Sequence, residues 1–193
     1  MKRIVIGLIA AAAIAGCAST PATTVASFGP TPALSPQIQS VTEGRRGSFT
    51  VRVDLPQPVY IAAIDVYPNQ SATQLGTSGV PSGTTKIEGG RQSIALQTLA
   101  TSHVYNAADW GPADWKRCNS NPYHSGCQQK GYVVIVASQR PFSQDDIATN
   151  LAEVDLHGAD SDVIHRVGGA VAHAAGDTWA ASAGASVAMM APY

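Results

Sequence analysis

The stretch that most constrains the fold is residues 132–137, which read YVVIVA. An apolar run of this length, rich in β-branched residues and without polar alternation, is typical of a strand that is buried on both faces. A strand of that kind is covered on each side by other parts of the chain. We therefore expect residues 132–137 to form a central strand.

Two more strands are predicted in the first half of the chain. Residues 48–54 alternate between polar and apolar side chains, and residues 59–66 follow a turn that contains proline. We expect both in one sheet. Weaker strand patterns over residues 84–88 and 92–96 flank a pair of glycines at 89–90, and this arrangement fits a hairpin turn.

The final third of the chain has helical periodicity. Ser143, with Asp146 three positions on, is close to a capping box, and apolar residues follow at helical spacing: Ile147, Leu151 and Val154. A second helix is predicted from about Asp162, with an apolar face formed by Val163, Ile164, Val167, Val171 and Ala174. Together these patterns predict an α+β fold, with a small antiparallel β-sandwich-like core and one or two C-terminal helices.

The first 16 residues have the pattern of a secretory signal peptide and not of a domain. Lys2 and Arg3 precede an apolar run over residues 4–15, and small residues lead to Cys17. The apolar run is also shorter than the roughly 20 residues that a membrane-spanning helix needs. The signal peptide therefore sends the chain out of the cytoplasm.

The four residues Ile14, Ala15, Gly16 and Cys17 resemble the lipobox of bacterial lipoproteins. This resemblance implies cleavage before Cys17 and attachment of lipid to it; the alternative is an ordinary signal peptide with an incidental cysteine. Residue 18 is Ala and not Asp, which is similar to outer-membrane lipoproteins. We expect a protein anchored to the outer membrane by several acyl chains, with its domain in the periplasm.

Charge excludes one class of partner. Removal of Lys2 and Arg3 with the signal peptide leaves 10 basic and 13 acidic residues, a net charge of −3. Charged residues make up 13% of the chain, about half of the roughly 25% usual in soluble domains. No basic footprint for nucleic acid is present, so we expect no nucleic-acid partner.

The chain is long enough for one domain, and its composition suggests the boundaries. Residues 17–40, rich in Pro, Thr and Ser, are predicted to be a tether that lets the domain stand clear of the membrane, or in part an edge strand. Residues 41–175 are predicted to be the globular domain. Residues 176–193, rich in Ala, Ser and Gly, are predicted to be a tail, either an irregular strand or loose chain.

Two cysteines remain in the domain, Cys118 and Cys127. They lie nine positions apart, and in an oxidising periplasm a disulfide between them is the default expectation. The spacing lacks the close pairing of cysteines that zinc sites use. We therefore predict a disulfide and no metal.

The insertion over residues 102–130 holds the candidate binding residues. It contains four of the twelve aromatic residues of the chain: Tyr105, Trp110, Trp115 and Tyr123. Aromatic side chains on a disulfide-linked loop can bind sugar rings or anchor a protein partner, and Lys116 and Arg117 would supply a polar rim. The alternative is that both tryptophans cover the sheet and complete its core.

The order of elements has a counterpart in a known family. Residues 58–61 open a strand, a polar turn follows at 69–70, and after a long insertion residues 131–138 lead into Arg140, Pro141 and Phe142. This order resembles the DUF4384 family of envelope and lipoprotein domains over roughly residues 41–145. The resemblance implies a small β-sandwich-like core and an accessory envelope role, and it supplies no catalytic residues. The cysteine-bearing insertion and the helical C-terminal part depart from the family pattern.

Metal-binding patterns are weak. His165 and His173 lie eight residues apart on the predicted second helix, so they differ by 80° around the axis and by about 12 Å along it. One metal ion therefore cannot take both without a bend in the helix. Acidic residues surround His157 and could hold calcium, but they do not match the spacing of a calcium loop: Asp155, Asp160 and Asp162.

Patterns for other chemistry are weaker still. Residues 184–188 only partly resemble a nucleophile elbow and lack its strand-turn-helix context. Neither a phosphate-binding loop nor a dinucleotide fingerprint occurs in the sequence.

The sequence therefore predicts a non-enzymatic accessory protein that needs no cofactor and docks on another envelope protein. Binding of peptidoglycan or another glycan through the aromatic insertion is the alternative. A metal-dependent hydrolase, suggested only by the residues around His157, is the weakest hypothesis.

Overall fold

The computed structural model describes residues 24–44, 47–99, 104–106 and 128–189. In this part the chain forms eleven strands and two α-helices. The strands are β1 Thr24–Phe28, β2 Gln37–Glu43, β3 Ser48–Leu55, β4 Val59–Tyr67, β5 Ser71–Thr77, β6 Val80–Pro81, β7 Lys86–Ile87, β8 Gly90–Thr98, β9 Val104–Asn106, β10 Gln128–Ser138 and β11 Trp179–Met189. The helices are α1 Gln144–Ala152 and α2 Asp160–His173, and a short 3-10 turn spans Pro32–Leu34.

The strands form one continuous antiparallel sheet that curls toward a barrel. Its main order is β1-β11-β10-β4-β5-β8-β3-β2, with β6 and β9 paired to β5 and β7 paired to β4. The curl brings β2 against β11, because a Cβ built on Gly184 would lie 2.6 Å from a methyl of Val41 and 2.9 Å from one of Ile38. The predicted α+β fold, with a β-sandwich-like core and C-terminal helices, is confirmed.

Strand β10 is central, as predicted. It pairs with β4 on one side and β11 on the other, and residues 131–138 are all buried. Alternate side chains of β10 enter two separate apolar clusters, one beneath the helices and one inside the curled sheet. Burial on both faces explains why this stretch shows no polar alternation.

The helices cover the outer face of the sheet. Ile147 and Leu151 of α1, and the apolar face of α2, pack with alternate residues of β4 and β10. The hydroxyl of Ser143 accepts a hydrogen bond from the backbone N–H of Asp146 at 3.3 Å, as the capping pattern predicts. Within the described residues, no helix is long and apolar enough to cross a bilayer.

The inner cluster fills the curled sheet. Its buried members come from seven strands and the 3-10 turn, and the largest of those that are fully buried are Leu34, Leu55, Leu75, Ile135, Val51, Val53 and Val59. Predicted strands 48–54 and 59–66 both contribute to this sheet, but β3 and β4 are not neighbours. Strands β8 and β5 lie between them.

The predicted tether over residues 17–40 is wrong from Thr24 onward. Strand β1 pairs with β11, Leu34 is only 1% exposed, and β2 begins at Gln37. The prolines at 30, 32 and 36 fall in the connection between β1 and β2, where no strand ladder needs their missing N–H. The part of the prediction that allowed an edge strand here is the correct one.

Of the two predicted alternatives for residues 176–193, a strand or loose chain, the strand is correct over most of the length. Residues 179–189 form β11, which lies between β1 and β10. Its Ala, Ser and Gly residues serve close packing: Ala181 and Ala183 lie in the core beneath the helices, and Gly184 leaves room for β2. A low-complexity composition here reflects crowding on both faces and not disorder.

The predicted hairpin around the glycines at 89–90 does not form. Strand β7 pairs with β4, through Val59 and Ile87, whereas β8 pairs with β3 and β5. Gly90 has a φ of +88° and turns the chain from one part of the sheet to another. The two glycines are compatible with a hairpin and also with a turn between strands that have different partners. The curl of the sheet selects the second arrangement.

Candidate functional site

Features that bear on function gather at one end of the sheet, which we call the Asp65 end. It comprises the carboxyl ends of β4 and β11 and the amino ends of β5 and β10. Asn106 of β9 pairs with Ser71 of β5, and Gln128 of β10 pairs with Met189 of β11. Residues 107–127 therefore leave and rejoin the described fold at this same end.

Asp65 points into the curled sheet close to this end. It follows Ile61 and Ala63 at alternate positions of β4, both of which belong to the inner cluster, and it is 8% exposed. Glu43, the last residue of β2, follows Val41, whose side chain reaches the backbone of β11 at Gly184. Strand β2 thus brings a second carboxylate to the inner face.

Both carboxylates have a buried oxygen without a hydrogen-bond partner. Oδ1 of Asp65 and Oε2 of Glu43 are shielded from solvent, and neither accepts a hydrogen bond within the described part of the chain. Buried polar atoms in folded proteins are nearly always partnered, so two such atoms together are unusual. We call Glu43, Asp65 and Tyr67 the inner carboxylate cluster.

Burial shifts the titration of this cluster. Burial, followed by the nearby charge of Glu43, raises the pKa of Asp65 to about 7, and burial also raises the pKa of Glu43. Burial, and then the charges of Asp65 and Glu43, raises the pKa of the Tyr67 phenol. Asp65 therefore takes up and releases a proton near neutral pH.

What this cluster can do chemically is bind a proton. A carboxyl with a raised pKa beside a second carboxylate is a pattern found in acid-base sites and also in structural networks. Within the described residues, no group of three or more His, Cys, Asp and Glu side chains is placed to hold a metal ion. Sequence reasoning missed Asp65, although it is the one charged residue within the otherwise apolar pattern of β4.

The residues around His157 are engaged separately. Asp155 accepts hydrogen bonds at 2.9 Å from both the backbone N–H and the ring Nδ1 of His157, and these bonds lower the pKa of Asp155. Oδ2 of Asp160 instead accepts a hydrogen bond from the hydroxyl of Tyr132 at 2.5 Å. Asp155 and Asp160, two of the acidic residues that could have held calcium, thus have different partners.

The connection between the helices has a structural role instead. Asn69, in the β4–β5 turn, accepts the backbone N–H of Gly158 at 2.9 Å and donates its own N–H to the carbonyl of Leu156 at 2.7 Å. Arg166 donates to the carbonyl oxygens of Asp155 and His157. These bonds hold the connection on the Asp65 end of the sheet.

The two histidines on α2 are both exposed. The ring of His165 lies 4.3 Å from the ring of Phe28, centroid to centroid, and Phe28 also meets Trp179 at 6.1 Å. His173 ends the helix. His165 therefore has an aromatic neighbour from β1, a contact that the helical spacing alone could not reveal.

Most sequence-predicted site residues lie outside the described residues. These are Cys17, Trp110, Trp115, Lys116, Arg117, Cys118, Tyr123 and Cys127. Tyr105 is placed by its backbone, because it pairs with Ala72 across β9 and β5. Residues 184–188, which partly resemble a nucleophile elbow, lie within the continuous strand β11.

A polar groove crosses the outer face of β2, β3 and β8. It has a volume of about 510 Å³ and is lined by Gln39, Arg52, Asp54, Arg91, Gln92 and Ser93. Arg52 faces Ser93 across the strand pair and Asp54 faces Arg91, so the two arginines are diagonal neighbours. Sequence reasoning could not find this groove, because it depends on the register of β3 against β8.

Comparison with known proteins adds no assignment. The chain matches no protein-family model, no curated protein and no solved structure.

Proposed function

We propose that this protein is a lipid-anchored accessory protein of the bacterial outer membrane, that its domain lies in the periplasm, and that it docks on another envelope protein without catalysis. The observation that carries the proposal is the short distance between the two strands that residues 107–127 connect. They connect β9 to β10, which are separated in the sheet only by β5 and β4. Three interstrand spacings amount to about 14 Å.

Twenty-one residues are far more than this gap requires. Loops of this length in compact domains are uncommon, and they usually either carry function or act as linkers. The composition favours binding, since the segment holds Trp110, Trp115 and Tyr123 beside Lys116 and Arg117. Tryptophan, tyrosine and arginine are the residues that most often anchor protein interfaces.

The remaining parts of the proposal come from sequence. The lipobox at residues 14–17 supports lipid attachment at Cys17 and outer-membrane location. A disulfide between Cys118 and Cys127 would reduce the freedom of the docking segment and so the entropy lost on binding. The resemblance to DUF4384 domains supports an accessory role in the envelope.

Crosslinking followed by affinity purification tests the docking. The native lipoprotein, gently solubilised from outer membranes, is expected to carry a stoichiometric protein partner. Trp110→Ala with Trp115→Ala should lose that partner at an unchanged melting temperature. Val80→Ala is the control, because Val80 is a large apolar side chain that is half exposed and lies on β6. Retention of the partner by the double variant would refute the proposal.

A second candidate function is glycan binding, and the polar groove is the observation that favours it. Guanidinium groups bind carboxylates in a bidentate manner, and the exposed amide of Gln39 suits sugar hydroxyls. An acidic glycan such as peptidoglycan would therefore fit the groove chemistry.

Sedimentation with purified sacculi separates the two functions. A glycan binder should pellet with the sacculi, and Arg52→Gln with Arg91→Gln should keep it in the supernatant. A protein-docking module should stay in the supernatant in every case.

A further inference from the structure

We infer that the inner carboxylate cluster is a calcium site, with one Ca²⁺ ion held between Asp65 and Glu43. The site lies inside the curled sheet, close to its Asp65 end, and it is built from strands β2, β4 and β5. It is independent of the proposed docking. Carboxylate and hydroxyl oxygens are its ligands, and oxygen atoms are the donors that calcium takes in proteins.

Asp65 supplies a buried oxygen that the chain leaves without a partner. The residue is 8% exposed, and its Oδ1 accepts no hydrogen bond within the described part of the chain. A buried carboxylate without a partner is strongly unfavourable, so such a group ordinarily takes up a proton or pairs with a cation. Asp65 follows Ile61 and Ala63 at inward positions of β4, so this unsatisfied oxygen belongs to the interior of the sheet.

Strand β2 carries the second carboxylate toward the same end. The carbonyl of Pro36 accepts a hydrogen bond from the hydroxyl of Ser182. Further along β2, the side chain of Val41 lies against Gly184. Strand β2 therefore advances beside β11 toward the Asp65 end. Glu43 lies two residues further on in that direction.

Glu43 faces the interior and lies near Asp65. It pairs with Phe49 of the inner cluster, and paired residues of an antiparallel sheet point to the same face. Its Oε2 is shielded from solvent and accepts no hydrogen bond from a described residue. Burial, and then the charge of Glu43, raises the pKa of Asp65, as expected for neighbouring carboxylates. Two unsatisfied oxygens from different strands thus share one region.

Two hydroxyl-bearing side chains supply neutral oxygens on the same face. Thr73 of β5 is buried and pairs with Asp65, which places the two Cβ atoms about 5 Å apart. Tyr67 occupies the next inward position of β4. Burial, and then the charges of Asp65 and Glu43, raises the pKa of its phenol. The cluster therefore offers oxygen atoms from four side chains.

No basic side chain of the described residues balances this charge. The inward positions of β2, β3, β4, β5, β8, β10 and β11 hold no Lys, Arg or His within that part of the chain. Two like charges side by side repel each other, whereas a divalent cation between them neutralises both. Without calcium, Asp65 takes up a proton instead.

The donor set selects calcium among the common metal ions. Zinc and the other transition metals favour histidine nitrogen and cysteine sulfur, which the cluster does not contain. Magnesium requires a nearly ideal octahedron, whereas calcium accepts six to eight oxygens in irregular geometry and lets water complete the shell. Since only two ligands are ionisable, we expect a Kd on the order of 10⁻⁴–10⁻³ M, as in extracellular calcium modules.

Calcium binding is measured on the full protein after treatment with a chelator. Equilibrium dialysis against radiolabelled CaCl2 should give about one bound ion per chain. CaCl2 at about ten times the Kd should raise the melting temperature by roughly 3–6 °C, with NaCl of equal ionic strength as the reference. A lack of saturable binding would overturn the inference. An equal rise with MgCl2 would overturn the choice of calcium.

Asp65→Asn and Glu43→Gln locate the ion. Each variant removes one ligand charge with little change of shape, and each should weaken calcium binding about tenfold or more. Melting in calcium-free buffer shows separately that each variant is folded, so a loss of binding is not a loss of structure. Unchanged calcium affinity in both variants would refute the site.

Two other carboxylates provide matched controls. Asp54 lines the polar groove on the outer side of the sheet, and Asp155 is exposed beside His157. Asp54→Asn and Asp155→Asn remove the same charge from the chain and should leave calcium affinity unchanged. Loss of binding in Asp155→Asn alone would move the ion to the connection between the helices and overturn its assignment to the inner carboxylate cluster.

Discussion

The two faces of strand β4 differ although they share one backbone. On the side beneath the helices, Ala62, Ile64 and Val66 are all fully buried in apolar surroundings. On the inner side the apolar pattern of Ile61 and Ala63 ends in Asp65 and then Tyr67.

The two faces differ in how they are closed off from water. The helix side is closed by α1 and α2, so a charge there would have no access to water. The inner side closes only by the curl of the sheet, and its Asp65 end carries the ionisable cluster next to the place where residues 107–127 are attached. Both faces carry a buried apolar core, whereas the pH-sensitive carboxylates lie on the inner face.

The largest expected effect tests whether both faces belong to one cooperative unit. Ile164 on α2 and Ile135 on the inner face of β10 are fully buried. Ile164→Ala and Ile135→Ala should each lower the free energy of unfolding by about 2–5 kcal/mol, because each leaves a cavity in a packed core. Urea denaturation should show a single transition in both variants. Two separate transitions would mean that the helix layer unfolds independently of the sheet.

The next largest effect is the pH dependence of stability that the inner carboxylate cluster should cause. The pKa of Asp65 is about 7 in the folded protein, above its ordinary value of 3.8. Its contribution to stability is therefore complete below about pH 4 and is lost as the pH rises through 7, for a total cost on the order of a few kcal/mol. The protein should melt at a higher temperature at pH 5 than at pH 8.

Asp65→Asn is the variant that checks this assignment. It should raise the melting temperature at pH 8, change it little at pH 5 and flatten the profile between them. Glu43→Gln should give a smaller change in the same direction, because the charge of Glu43 is the lesser cause of the shift. A flat profile in the unsubstituted protein would contradict a raised pKa for Asp65.

A third effect concerns the segment attached at the Asp65 end. If Cys118 and Cys127 form a disulfide, Cys118→Ser should lower stability in non-reducing buffer by about 2–3 kcal/mol, by the entropy of closing a loop this short. The melting temperature of the unsubstituted protein should fall likewise on reduction. Identical melting curves in all three samples would mean that the two thiols are free.

The smallest effect probes a polar contact on the helix side. The hydroxyl of Tyr132 donates to Oδ2 of Asp160 at the start of α2. Tyr132→Phe should cost about 1 kcal/mol, since the carboxylate regains water when the bond is lost. Tyr60→Phe is the control on the same face, because the Tyr60 hydroxyl makes no hydrogen bond to a described residue. An equal loss in both variants would remove any special role for the contact.

Several elements could be predicted because their patterns are local. The central strand β10, the cap at Ser143 and the apolar face of α2 all follow from residues that are close in sequence. The candidate site was less accessible. Asp65 stood out only as an acidic residue in an apolar strand, and its neighbour Glu43 lies 22 positions away, on a strand placed beside it only by the curl of the sheet.

By itself the sequence determined the class of the fold, the two helices with their buried faces and the strand at the centre of the sheet. The periodic pattern of apolar residues is a local property of the sequence. In the two helices and the central strand, this pattern is strong enough to determine the secondary structure. Only the tertiary structure decided that residues 24–28 and 179–189 are strands. Small residues and residues flanked by proline have weak intrinsic preferences for strand or helix. Their conformation therefore depends on the neighbouring strands that pack against them. The same long-range pairing brought two carboxylates together at one end of the sheet.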